Sequence, residues 1–212
     1  MVKGIIFDLD GVLVFTDKFH YKAWKGLADR MGIEFNEEIN NRLRGVGRMD
    51  SLEIILERYT GEPLTQEEKV ALTEEKNDAY KELLSTMTPD DVTREVRDTL
   101  AELRNRGYKL SVGSSSKNTK YILDRVDLKD AFDAVSDGTN ITKSKPDPEV
   151  FLKGAEFLGL EPEDCAVIED APAGIDAAKA GNMLAVGIGE AASYDKTDVS
   201  IDSIGDLLKV FE

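Results

Sequence analysis

Short apolar runs recur along the chain, each closing on small or acidic residues: GIIFDLD at 4–10, KLSVGSSS at 109–116, DAVSDG at 133–138, CAVIED at 165–170 and LAVGIG at 184–189. Polar and apolar positions hardly alternate within them, the pattern of strands buried on both faces, as in parallel sheets. Helical patterns lie between the runs. DTLAELRNRG at 98–107 sets Leu100 and Leu103 on one face and stops at Gly107, while APAGIDAAKAG at 171–181 has Pro172 for a first turn and Gly181 for an end. Strand alternating with helix predicts an α/β fold, a doubly wound parallel sheet of Rossmann-like form whose functional groups gather at the carboxyl ends of the strands.

Residues 17–88 break that rhythm. Phe19, Ala23, Trp24, Leu27, Ala28 and Met31 follow a helical spacing, and MDSLEIILERY and QEEKVALTEEKNDAYKELL continue it with no strand between them. The pattern predicts a catalytic core of 1–16 and 89–212 with an α-helical cap, 17–88, inserted after the first strand. The crossings fall near 14–17 and 87–92, where TMTPDDVT has the composition of a linker. Two crossings between two units suit a hinge.

Composition narrows the class. The chain has 212 residues, 41% of them apolar, enough to fill a sizeable core. Against 27 Lys and Arg stand 42 Asp and Glu, a formal net charge of -15. Such a surface repels nucleic acid and anionic membranes, so neither is expected as a partner. A phosphorylated substrate would need local cations or N–H donors to bind here. The single cysteine, Cys165, permits no internal disulfide, and the opening apolar run is too short for a leader or a span, so a cytoplasmic protein is expected. A monomer is expected as well.

The chemistry-bearing residues cluster at the strand ends. In an extended strand, Asp8 and Asp10 would share one side, although a lone DxD more often caps a helix. GSSSKN at 113–118 offers hydroxyls, a lysine and helix N–H groups to a phosphate, or an ordinary serine-rich cap. Lys145, before Pro146, suits neutralisation of a carboxylate and a phosphoryl group; alone it reads as a solvated loop residue. Glu169 and Asp170 follow CAVI. With Asp8 and Asp10 they make four carboxyl-bearing residues at one edge, a concentration that calls for a hard cation such as Mg2+.

In this order and spacing the four motifs resemble the haloacid dehalogenase superfamily of phosphoryl-transfer enzymes: DxDG at 8–11, a serine after the second motif's strand, a lysine before a proline, and a terminal acidic pair. HYKAWKGLADRMGI at 20–33, LRGVGRMDSL at 43–52, EEKNDAY at 74–80 and GSSSKN are similar to the branch that interconverts β-D-glucose 1-phosphate and β-D-glucose 6-phosphate.

The resemblance implies that Asp8 is the nucleophile, forming an aspartyl phosphate, and Asp10 the general acid and base. It implies Mg2+ among Asp8, the Asp10 backbone carbonyl, Glu169 and Asp170, with Ser114 and Lys145 on the transferring phosphoryl group. β-Glucose 1,6-bisphosphate would serve as activator and intermediate. Arg48 with Ser116, Lys117 and Asn118 would hold its second phosphate, although an unplaced arginine is more often solvated. Gly45, Val46 and Gly47 would approach the sugar, and Thr16, His20 and Lys76 would serve the hinge and closure. Trp24, on the apolar helical face, would stack on the sugar or, more simply, belong to the core of the cap.

Two residues depart from the family pattern. Phe15 stands where an aspartate is usual, which bears on the hinge and cap closure, and Gly47 where a serine is frequent, which removes a hydroxyl beside the sugar and loosens the expected selectivity for glucose. A Mg2+-dependent sugar-phosphate phosphatase is the alternative function. A non-catalytic phosphosugar-binding module is a distant one, expected to lack one of Asp8, Asp10, Lys145 or Asp170. The Lys145–Pro146 bond admits either isomer.

Overall fold

The apolar runs become parallel strands in the computed structural model, which describes residues 1–43 and 46–212. They are β1 (Gly4–Phe7), β2 (Lys109–Gly113), β3 (Ala134–Ser136), β4 (Cys165–Glu169), β5 (Leu184–Gly187) and β6 (Val199–Ser200), in the order β3-β2-β1-β4-β5-β6. β1 lies between β2 and β4, with Phe7 paired to Val112 on one side and Ile168 on the other. That is where the strand order reverses, the usual position of a ligand crevice in such sheets.

The chain divides into two compact units, Met1–Phe15 with Met87–Glu212, and Thr16–Thr86. The second unit is helical: α1 (Asp17–Arg30), α2 (Glu37–Asn41), α3 (Arg48–Leu56) and α4 (Gln66–Leu84). Trp24, Leu27 and Ala28 of α1 meet Leu52 and Ile55 of α3 in its apolar core. α4 starts on a reciprocal cap: the Thr65 hydroxyl accepts from the Glu68 N–H at 3.2 Å, and the Glu68 carboxylate accepts from the Thr65 N–H at 2.8 Å. Two otherwise orphaned donors are satisfied, which fixes where the helix begins.

In the first unit, α5 (Arg94–Asn105), α6 (Thr119–Arg125), α7 (Glu149–Leu158), α8 (Pro172–Ala180) and α9 (Leu207–Val210) accompany the strands. Ile6, Val167 and Ala185 pack with Val150, Phe151 and Ala155 of α7 and Ile175 and Ala178 of α8. The neighbouring strand residues Ile5, Phe7, Ala166 and Ile168 are equally buried. Burial on both faces is why the strands read as continuous apolar runs. Pro172 opens α8, as its fixed φ favours, and the left-handed turn after the helix falls on Asn182, φ 56°, and not on Gly181. Among the described residues no helix is long and apolar enough to cross a membrane.

Candidate active site

The first carboxylate is set by β1 and the turn after it. The Asp8 N–H donates to Ile168 O at 2.9 Å, carrying the sheet pairing one residue past Phe7. Strand geometry then ends, because the Gly11 and Val14 amides turn inward, donating to Val14 O at 2.8 Å and Leu9 O at 3.0 Å. Gly11 closes this turn with φ +86°, a backbone that side chains resist. The expectation that Asp8 and Asp10 share a strand face therefore fails: β1 stops at Phe7, and partly exposed Asp10 belongs to the turn, bridged to Val14. Phe15, at the end of this segment, is 62% exposed.

β2 delivers Ser114, whose N–H donates to Ser136 O at 3.1 Å. The Ser114 hydroxyl accepts from the Ser116 N–H at 3.2 Å, and the Ser116 hydroxyl accepts from the Asn118 N–H at 3.1 Å. Both oxygens are used as acceptors, which leaves their protons to donate to an anion. Asn118 is buried and Lys117 exposed. The loop after β3 brings in Lys145 through a cis bond to Pro146.

Lys145 lies inside the cluster, its side chain 5% exposed. Its ammonium donates to Asp8 Oδ1 at 2.5 Å and to Glu169 Oε1, and sits 4.7 Å from the centre of the Phe151 ring. Burial alone would lower its pKa, but the Asp8 and Glu169 carboxylates outweigh burial and hold it above the ordinary lysine value, so the group is charged. Glu169 ends β4, and its Oε2 accepts from the N–H groups of Asp170 and Ala171 at 3.1 and 3.3 Å. Its carboxyl is pushed up to about 8, first by burial and then by the charges of Asp8 and Asp170, with Lys145 opposing.

Asp8, Glu169 and Asp170 each offer a carboxylate oxygen within 4.8 Å of the others. Three such groups against one ammonium leave negative charge in excess, which adds to burial in raising the Glu169 pKa. An all-oxygen set of this kind fits a hard divalent cation, which would offset that excess and favour the ionised carboxylates.

The helical unit places a second group of predicted residues. α1 carries His20 and Trp24, and α4 carries Lys76 and Tyr80, each pair one helical turn apart. The buried Lys76 ammonium donates to His20 Nδ1 at 2.9 Å and lies 4.8 and 4.6 Å from the centres of the Trp24 and Tyr80 rings. The Tyr80 ring lies 4.1 Å from the imidazole, and its hydroxyl shares a 2.9 Å hydrogen bond with the Thr16 hydroxyl. Burial first, then the cations of Lys76 and Arg48, hold His20 well below the ordinary histidine value, so the ring is neutral, with Nδ1 the accepting nitrogen. Trp24 is part of the apolar core and meets the polar group through Lys76.

Arg48 begins α3 just after Val46 and Gly47, and its guanidinium donates to Asn77 Oδ1 at 2.8 Å. Burial lowers its pKa from the usual arginine value. Gly45 lies outside the described residues. Tyr80 and Asn77 were not among the residues expected to serve the site. The turn-by-turn spacing of Lys76 and Tyr80 was the signal in the sequence for one of them; nothing marked the other.

Residues 2–182 match the model of the haloacid dehalogenase-like hydrolases. The chain is 41% identical over 207 residues to a β-phosphoglucomutase of Bacillus subtilis, covering 97% of this chain and 92% of that protein. It is 30% identical to a phosphorylated carbohydrates phosphatase of Thermotoga maritima, over 86% of this chain and 82% of that one. The crystal structure of a β-phosphoglucomutase from Clostridium difficile superposes with a TM-score of 0.90 at 37% identity, covering 98% of this chain and 93% of that one.

Proposed function

This chain belongs to the haloacid dehalogenase-like hydrolase family, and from that premise we propose that it is a phosphomutase interconverting β-D-glucose 1-phosphate and β-D-glucose 6-phosphate. The observation that carries the reading is the 41% identity to a β-phosphoglucomutase across 97% of the chain, helical unit included.

In this reading the Asp8 carboxylate attacks phosphorus, and the bond from phosphorus to the sugar oxygen breaks. Asp10 gives that oxygen its proton. Lys145 and the Ser114 hydroxyl hold the transferring group, whose charge must be met by positioned donors. In the other half-reaction the free hydroxyl of a bound monophosphate attacks the phosphoryl group on Asp8 while Asp10 takes the hydroxyl proton, which forms the 1,6-bisphosphate and frees the Asp8 carboxylate. The bisphosphate then rebinds with its phosphates exchanged, and Asp8 takes the other phosphoryl group by the first step. Arg48, Ser116, Lys117 and Asn118 are assigned to the phosphate that is not reacting, a task suited to a guanidinium fork. Gly45, Val46 and Gly47 are assigned to the sugar, and Thr16, His20 and Lys76 to closure. Asp8, the Asp10 backbone carbonyl, Glu169 and Asp170 would hold Mg2+, which supplies charge stabilisation to the transferring phosphoryl group. The same reading has a cytoplasmic monomer acting on a small phosphorylated sugar, activated by β-glucose 1,6-bisphosphate.

A second reading, a sugar-phosphate phosphatase, is favoured by the 30% identity to the Thermotoga maritima phosphatase. One experiment separates them. The protein is incubated with Mg2+, β-glucose 1-phosphate and a trace of β-glucose 1,6-bisphosphate, and glucose 6-phosphate and free phosphate are measured together. Isomerisation with little phosphate release is expected; stoichiometric release would replace the mutase by the phosphatase.

A further inference from the structure

The third residue of α8 is a glycine, Gly174, in ordinary helical backbone. Helix preference disfavours glycine there relative to alanine, so a separate reason is needed. The space beside it supplies one. A methyl group built on Gly174 would overlap Cγ, Cδ and Oε1 of Glu169. The Glu169 side chain doubles back from the end of β4 over the Gly174 Cα, and there Oε1 accepts from Lys145 while Oε2 accepts from the Asp170 and Ala171 N–H groups. Any side chain at 174 would dislodge the carboxylate from at least one of these partners.

Gly11 stands in the same relation to Asp170, whose Oδ2 and Cγ a methyl group on Gly11 would overlap. Its φ of +86° calls for glycine on backbone grounds as well, so that position cannot separate space from conformation. Gly174 can, because its backbone makes no such demand.

We propose that Gly174 is a positioning residue, whose missing side chain is the seat that fixes the Glu169 carboxylate for Lys145 and for a divalent cation shared with Asp8 and Asp170. The cation half of this statement rests on the proposed Mg2+ site; the seat itself does not. The effect runs against helix preference, which is what makes it testable.

The test uses the full chain as wild type, Gly174→Ala, Glu169→Ala and the double variant, with thermal midpoints in EDTA and calorimetric titration with Mg2+ alone. Helix preference by itself raises the midpoint on Gly174→Ala whatever stands at 169. The seat predicts a fall when Glu169 is present and a rise when it is alanine. It also predicts that Gly174→Ala binds Mg2+ about 10- to 100-fold more weakly, the usual cost of disturbing the support of a metal ligand. A midpoint that rises in both backgrounds, or Mg2+ affinity unchanged by Gly174→Ala, overturns the proposal. Should Gly174→Ala fail to fold, recovery in the double variant supports the seat and continued failure overturns it. A wild type that takes up no Mg2+ removes the cation reading, while the sign reversal between backgrounds still decides the seat.

Discussion

Replacing Lys145 by methionine keeps roughly the length of the side chain but deletes the ammonium, which lies over the Phe151 ring. In the folded chain that ammonium lies 2.5 Å from Asp8 Oδ1 and also bonds Glu169, with Asp8 and Glu169 side chains 10% and 2% exposed. The variant therefore leaves two buried carboxylates facing each other, with Asp170 close by. Breaking a buried ion pair by removing one partner costs about 3–5 kcal/mol, because the remaining charge stays desolvated. In a chain of this size each kcal/mol shifts the thermal midpoint by about 2–4 °C, so a fall of roughly 6–20 °C is expected without divalent cation. Circular dichroism melts in EDTA and in saturating Mg2+ measure it. Mg2+ should close much of the gap, since a cation held by the same carboxylates restores positive charge and its binding adds to folded-state stability. A midpoint in EDTA within about 2 °C of wild type, roughly 1 kcal/mol, refutes the claim that Lys145 neutralises the cluster. A gap that widens in Mg2+ refutes the claim that ammonium and cation share those carboxylates.

Asp8→Ala should abolish both isomerisation and phosphate release in the coupled assay; residual turnover means that another group attacks phosphorus. Arg48→Ala should raise the KM of the mutase reaction by roughly 10- to 150-fold, the loss of a charged hydrogen-bonding group worth about 1.5–3 kcal/mol, while barely affecting hydrolysis of a small monophosphate. Equal losses in the two reactions would remove Arg48 from the second phosphate. His20 is the only histidine, so its ring signals in a proton NMR titration are unambiguous. They should not move through the ordinary histidine range of about 6.5, and Lys76→Met should bring the titration back toward it. The sign for stability follows: below about pH 6.5 the unfolded chain takes up a proton that the folded chain refuses, so His20 makes the fold less stable as pH falls. A wild-type ring that titrates near 6.5 contradicts the burial and charge assigned to it.

The sheet was legible wherever both faces are covered. Ile5, Ile6 and Phe7 are all fully buried, so β1 leaves an unbroken apolar run, and β2, β4 and β5 do the same. β6 left no such mark, because its two residues, Val199 and Ser200, sit at the sheet edge with only β5 beside them. Strand ends were overread for a related cause: the run through Leu9 stays apolar because Leu9 is buried in the turn, and the period of two no longer applies there. At the site, Asp8, Glu169 and Asp170 could be picked out because chain order puts charged residues at strand ends, and Lys145 because it precedes a proline in the loop after β3. Their support could not. Gly174 acts through empty space beside its Cα, and Trp24 through a ring that Lys76 reaches only after α1 and α4 pack. Neither kind of contact has a spacing along the chain.

The two buried lysines show how a chain of net charge -15 can still handle phosphate. Lys76 is set among the aromatic faces of Trp24 and Tyr80 and the neutral His20 imidazole. Lys145 is set among three carboxyl groups, more negative charge than one ammonium can offset, with Asp8 and Glu169 buried. A phosphate dianion would be repelled by that excess. With a divalent cation the same four groups sum to neutrality, and the Ser114 and Ser116 hydroxyl protons and the Lys145 ammonium are then donors facing an anion without net repulsion. Affinity for phosphosugar and affinity for the cation are thus coupled through one set of charges, and the coupling must be equal in both directions. On this account the carboxylates exist for the chemistry, and the rest of the site, down to Gly174, exists to make three of them tolerable side by side.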